Sequence, residues 1–172
     1  LQILNKEGLE TNEIERIEVE TSEQAIRSIM YPEERKYSPQ NTVDAQFSLP
    51  YCLAVAGIFN KVTPQEFKSD RLCDEIVINL CRKVKATASN HFTDLYPRHI
   101  GCRVKVKARG KFFTQEVIDS RGDPEIPLSF QEIEDKFKSV THGILSSASQ
   151  ERVVSMVKNL EGLDSIHGLL ND

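Results

Sequence analysis

Apolar and polar positions change their spacing several times along this chain, and each change marks an element. In Ile14-Glu-Arg-Ile-Glu-Val-Glu-Thr21, Ile17 and Val19 fall on one side of an alternating run and acids on the other, the pattern of a strand buried on one face. Thr21 and Ser22 then cap a short helix carrying Ala25, Ile26 and Ile29. Pro32 to Asn41 gathers two prolines, Ser38 and Asn41 among charges and reads as a loop. Phe47, Tyr51, Ala54 and Ile58 recur at spacings of four, three and four, the stripe of a helix running to about Phe59. Pro50 leaves two starts open for it. Either Ser48 is the N-cap and Pro50 lies in the tolerant first turn, or the helix starts near Thr42 and kinks at Pro50.

Pro64 to Phe67 suggests one helical turn, after which Asp70 caps a longer helix with Leu72, Ile76 and Leu80 beside Cys73, Val77 and Cys81 on a broad apolar face. Lys83 to Ser89 alternates as a second strand. Ile100 to Lys107 and Phe112 to Ile118 alternate again, with Cys102, Val104 and Val106 inward, and the Arg109-Gly110 turn joins them as a hairpin. Ser129-Phe-Gln-Glu132 has the spacing of a capping box for a helix that buries Phe130, Ile133, Phe137 and Val140. Helices over about 149–160 and 164–170 follow, separated at Gly162. The pattern is mixed before Arg121 and helical after it. It predicts an α+β fold: a small antiparallel sheet with packed helices over 1–120, then an all-helical segment over 121–172, the boundary lying between Asp119 and Ser129. Leu1 to Gly8 reads as the last turns of a helix closed by a glycine C-cap, without an initiator Met, which points to a piece of a longer polypeptide.

Composition changes this picture little. At 172 residues, 39% hydrophobic and 28% charged, the chain can bury a core. No window approaches the ~20 apolar residues of a membrane span. A net charge of −4 gives no general pull toward nucleic acid. Cys52, Cys73, Cys81 and Cys102 stand far apart and read as reduced thiols, mostly at core positions, so a cytoplasmic protein is expected. His91, His99, His142 and His167 show no metal-ligand spacing, and Gly122-Asp-Pro lacks the flanks of a phosphate or dinucleotide loop, so neither metal nor cofactor is expected.

Two features carry candidate chemistry. Arg98, Arg103, Lys105, Lys107, Arg109 and Lys111 make a basic hairpin over 98–111. A stand-alone binding module could use it to contact an acidic protein or nucleic acid. Alternation, however, sets Arg103, Lys105 and Lys107 on a solvated face opposite the acids of the first strand, and no exposed aromatics interleave for base stacking. Tyr51 lies near a helix start, where backbone N–H groups favour anions, and its hydroxyl could bond a carboxylate or pass a proton. On spacing alone it belongs to the apolar stripe.

The segments Ile14-Glu-Arg-Ile-Glu-Val, Asn41-Thr-Val-Asp-Ala-Gln-Phe-Ser-Leu-Pro-Tyr51, Val104-Lys-Val-Lys, Gly122-Asp-Pro, Pro127-Leu-Ser129 and Lys136-Phe137, in this order and with these gaps, resemble the C-terminal portion of the MmgE/PrpD family. That family includes 2-methylcitrate dehydratase, cis-aconitate decarboxylase and iminodisuccinate epimerase. The resemblance implies a lid domain over about 8–120, and over about 129–172 the helices that return to a large helical domain. It also implies proton transfer next to a carboxylate of a small di- or tricarboxylate, without a required metal. Tyr51 matches the one substrate-facing tyrosine and would be the catalytic residue, with Arg35, Gln46 and Ser48 orienting the substrate. The family's main histidines, lysines and aspartate fall before Leu1, so this chain alone is expected to be inactive. Its C-terminal apolar positions, Val153, Val157, Leu160, Leu163 and Leu169, are expected to seek a partner as a homodimer or by self-association.

Overall fold

The computed structural model describes residues 1–163 and 165–169. It is an α+β structure whose four-stranded sheet has the order β2-β1-β3-β4. Strand β1 (Ile14–Thr21) lies inside the sheet, parallel to β2 (Val84–Ala88) and antiparallel to β3 (Cys102–Ala108), which pairs antiparallel with β4 (Lys111–Val117). The sheet is therefore mixed where an antiparallel one was expected. The reason is the long helical crossover between β1 and β2, which brings the chain back to the end of the sheet from which β1 started, as a parallel pair requires.

Crossover and sheet close on one core. Ile14, Ile17 and Val19 of β1 meet Val84, Val106 and Ala108 of the neighbouring strands, and the sheet face is covered by α5 (Leu49–Phe59) and α7 (Glu75–Cys81), which bring Ala54, Val55, Val77, Leu80 and Cys81. Full burial of an Ile, Val or Leu contributes about 1.5–3 kcal/mol. The opposite face carries Glu18, Glu20, Arg103 and Lys105, which the registers Glu18 with Lys105 and Glu20 with Arg103 bring side by side. The β3–β4 turn places Arg109 and Gly110 both at positive φ (52° and 70°), the conformation that matches the twist of a two-residue hairpin.

Several local expectations change. Between Pro32 and Asn41 the chain forms α3 (Glu33–Tyr37), with acids in its first turn and Arg35 and Lys36 in its last, an order that complements the helix dipole. Both starts considered near Pro50 are used. Asn41 caps the short α4 (Thr42–Gln46), and Ser48 caps α5, leaving Pro50 in its first turn. Phe47 is the residue that ends α4, so it leaves the stripe and is exposed. The helix expected from Asp70 breaks in two, α6 (Ser69–Leu72) and α7, because the Asp74 carboxylate accepts the Ile76 N–H and caps a new start. Ile76 and Cys73 are consequently exposed. A short α8 (Asn90–Leu95) precedes β3, and α1 (Gln2–Glu7) opens the chain and ends at Gly8 in the left-handed region.

The chain divides into two compact units, Leu1–Ile126 and Pro127–Asp172. In the second, Ser129 and Glu132 form the expected capping box at the start of α9 (Phe130–Val140). The helix expected over about 149–160 is α10 (Ser147–Lys158), started by Ser146. Glu134 bridges Lys138 and Lys158, each at 2.8 Å, and the buried Gln150 amide donates to Lys138 O and Thr141 Oγ1. Of the helix expected over 164–170, residues Ile166–Leu169 form a 3₁₀ turn, while Asp164 and Leu170 lie outside the described residues.

The ion pairs of the charged sheet face and of the turn before β1 should make stability fall in acid. Hydrogen bonds from Arg109, Lys107 and Lys105 hold the Glu13, Glu15 and Glu20 carboxyls, respectively, below the usual carboxylate range. Groups depressed in the folded state contribute stability above the unfolded value, about 4.3 for Glu, and lose it as pH falls through the folded values. The melting temperature should therefore hold steady on this account above about pH 5 and drop below it. Replacing all three by Gln should flatten that acid limb; an identical limb in the triple variant would show that other groups set it.

Candidate functional site

The segment from α3 to the start of α5 holds every residue that the family resemblance nominates, and the fold sorts them into two environments. Arg35, on the last turn of α3, is exposed, its guanidinium 3.8 Å from Asp44 Oδ1 on α4. Gln46 closes α4 and is also exposed. Ser48 and Tyr51 are both fully buried.

Their burial follows from how α5 starts. The Ser48 hydroxyl accepts the Tyr51 N–H at 3.0 Å and donates to Lys36 O, so both of its roles are taken by backbone. Tyr51, one turn into the helix, points inward against Phe67, with ring centroids 5.8 Å apart. Its hydroxyl donates to Glu66 O at 2.8 Å. Burial pushes the Tyr51 pKa up to about 12, with Cys81 and Asp74 adding to the shift. The family resemblance implied a substrate-facing hydroxyl at Tyr51. In this fold the hydroxyl faces the 3₁₀ turn Pro64–Phe67 instead, which Thr63 and Glu66 lock with a capping box. The apolar stripe with Ala54 decides the orientation, and the backbone carbonyl supplies the partner that a buried phenol needs.

Lys36 was missed. It is 6% exposed, and its ammonium donates to Phe47 O at 2.7 Å and to Ser28 O at 3.1 Å. It thereby ties the ends of α2 (Glu23–Ile29) and α4 to α3, and leaves one of its three N–H donors unused by these bonds. A loop reading of Pro32–Asn41 hides this role. The cue available was a cation in the last turn of a short helix that opens with two acids.

Beside this segment, Ser38, Pro39 and Gln40 form one wall of an open groove of about 690 Å³, and α6 and α7 form the other with Ser69, Cys73, Glu75, Asn79 and Arg82. Its size suits a small molecule, and its lining is mixed, with Leu72 and Ile78 beside the polar groups. Arg82 Nη1 donates to Asn79 Oδ1 at 3.3 Å. Among the described residues no group of three or more His, Cys, Asp or Glu is placed to hold a metal. Burial pushes the Cys52 and Cys81 thiols up to about 11 and about 12, which leaves both protonated and unreactive at neutral pH. No helix among the described residues is long and apolar enough to cross a membrane.

The basic hairpin is electrostatically occupied. Arg103 pairs with Glu20 and Glu116, Lys105 with Glu20, Lys107 with Glu15 and Arg109 with Glu13, all at 2.6–2.7 Å. Four of its six cations thus face carboxylates of the sheet or of the turn just before β1 rather than an external polyanion.

Compared with known proteins, residues 1–162 match the family model described as MmgE/PrpD C-terminal domain. No curated protein matches the chain.

Tyr51→Phe removes the donor to Glu66 O without opening a cavity. It should lower unfolding free energy in urea by about 1–2 kcal/mol, the cost of an unsatisfied buried carbonyl. Wild-type stability would show that the hydroxyl is not held in the core.

Proposed function

This chain belongs to the MmgE/PrpD family through that family's C-terminal domain, and from that premise we propose that it is the lid of an enzyme acting on a small di- or tricarboxylate by proton transfer next to a carboxylate. The observation that carries the reading is the match over residues 1–162, which takes in all the motif segments from β1 to Lys136-Phe137. Whether the parent eliminates water, loses carbon dioxide or inverts a centre is set by groups the lid does not hold. The reaction class is lyase or isomerase in each case.

Within the lid the labour is divided by burial. Arg35 is exposed and only loosely held by Asp44, so it can exchange that partner for a substrate carboxylate, and Gln46, exposed at the end of α4, is the second group available to hydrogen-bond it. Tyr51 and Ser48 act as positioning residues. Through Glu66 O and Lys36 O they fix the start of α5 and hence the loop that carries the contacts. On this reading Tyr51→Phe in the full-length enzyme leaves kcat within about threefold, whereas Arg35→Ala raises KM by about tenfold or more. A hundredfold loss of kcat in a stably folded Tyr51→Phe variant would return the tyrosine to the chemistry.

The second unit supports the same reading. Phe130, Ile133, Val157 and Leu160 are each about half exposed on α9, α10 and the turn after it. They are apolar surface suited to packing on the helical domain of a full-length polypeptide. Without that cover the 172-residue chain should self-associate, giving a light-scattering mass above 19.5 kDa that rises through the micromolar range. A concentration-independent monomer would count against the covering role.

A further inference from the structure

Outside the motif segment, the two loops at one end of the sheet bring together an imidazole and a carboxylate that the sequence keeps far apart. His99, in the loop between α8 and β3, has its Nδ1 2.5 Å from Asp119 Oδ1, just past the end of β4. Both side chains are mostly buried, 19% and 16% exposed. The loops are held close by packing as well. A Cβ at Gly101 would lie 2.9 Å from Val117 O and 3.1 Å from Ile118 O, so only glycine lets the two loops approach this far. Gly101 O is held in turn by the Thr21 hydroxyl at 2.8 Å, and the His99 N–H donates to Leu95 O at 3.0 Å.

The other ring nitrogen is free to act. Among the described residues no buried side-chain nitrogen or oxygen lacks a hydrogen-bond partner, and the one polar side-chain contact of His99 is through Nδ1. Nε2 therefore reaches the surface. A carboxylate on Nδ1 fixes the neutral ring with its proton on Nδ1 and its lone pair on Nε2, the arrangement by which an acid orients a histidine base. Arg98, the residue before it, is exposed and makes no ion pair among the described residues, so it is available to a ligand carboxylate.

We propose that His99 is a proton-transfer residue contributed by this domain, oriented by Asp119, and that it serves a substrate bearing a carboxylate next to the reacting carbon. The proposal rests on the lyase or isomerase reading above. In an elimination, Nε2 takes the proton from the carbon next to the carboxylate. The C–H electron pair becomes the new C=C bond and expels hydroxide, and the proton is returned to that hydroxide to leave as water. No oxidant, reductant or metal enters the balance.

Two experiments separate this proposal from the family reading. In the full-length enzyme, His99→Gln should lower kcat at least a hundredfold with KM within about threefold, the range expected for a general acid or base. Asp119→Asn should lower kcat at least tenfold by disturbing the tautomer. Wild-type kcat in a folded His99→Gln variant would overturn the dyad and leave the family reading intact. If the wild-type enzyme turns over none of the small di- and tricarboxylates, the family reading fails, and the 172-residue chain itself then decides the dyad. There, diethyl pyrocarbonate should acylate His99 faster than His91, His142 or His167, Nε2 attacking the carbonyl carbon and ethyl carbonate leaving as carbon dioxide and ethanol. Asp119→Asn should slow that site at least fivefold, and nitrogen NMR should place the neutral proton on Nδ1. A His99 that is unreactive, or reacts no faster than the other three and is indifferent to Asp119, would overturn the proposal.

Discussion

Everything in the first unit depends on β1 being two-faced in the middle of the sheet. Ile17 and Val19 must be covered, and α5 and α7 cover them. Glu18 and Glu20 must not be, and the facing strand meets them with Lys105 and Arg103. A one-residue slip of β1 would exchange the two sets and place Glu18 and Glu20 under the helices, so this alternation fixes the register more firmly than any single bond. It also explains why the hairpin is basic. Its cations answer an acidic strand that is their direct neighbour in the sheet but lies more than 80 residues earlier in sequence.

A second constraint lies in the loop-rich stretch between α2 and α5. Backbone carbonyls at the ends of short helices cannot stay unpaired once they are covered. Here the carbonyls of Ser28, Phe47, Lys36 and Glu66 are taken by Lys36, Ser48 and Tyr51, all of them buried. The motif that identifies the family is, in physical terms, a set of side chains closing backbone bonds around the start of α5. A rigid base lets exposed neighbours such as Arg35 and Gln46 be presented in a fixed place, whereas a loop with unpaired carbonyls could not hold them there.

What could be read in advance was whatever local chemistry settles. The β1 alternation, the Ser22 and Ser129 caps, the Arg109-Gly110 turn and the α+β class all follow from residues within a few positions of one another. The misses share a cause. Asp74 divides a helix because a side chain competes with the backbone for the next N–H, and the spacing of Cys73, Val77 and Cys81 conceals that competition. The turns of α3 and α8 carry no apolar stripe long enough to be seen. Phe47 has the spacing of a core residue but the position of a helix end. Tyr51 shows the limit for the candidate site, since an amphipathic side chain on an apolar stripe reads equally as core or as chemistry until its partner is known.

By itself, then, the sequence determined most of the elements and their buried faces, because these rest on spacing along one chain, while the likeness of its motif segments carried the family and the short list of residues worth testing. Tertiary structure decided which listed residues face solvent. It made β2 parallel to β1, turned Tyr51 toward Glu66, buried Lys36 against the ends of α2 and α4 and joined His99 to Asp119. Those outcomes depend on groups many residues apart whose meeting costs chain entropy and is fixed only when the whole core closes.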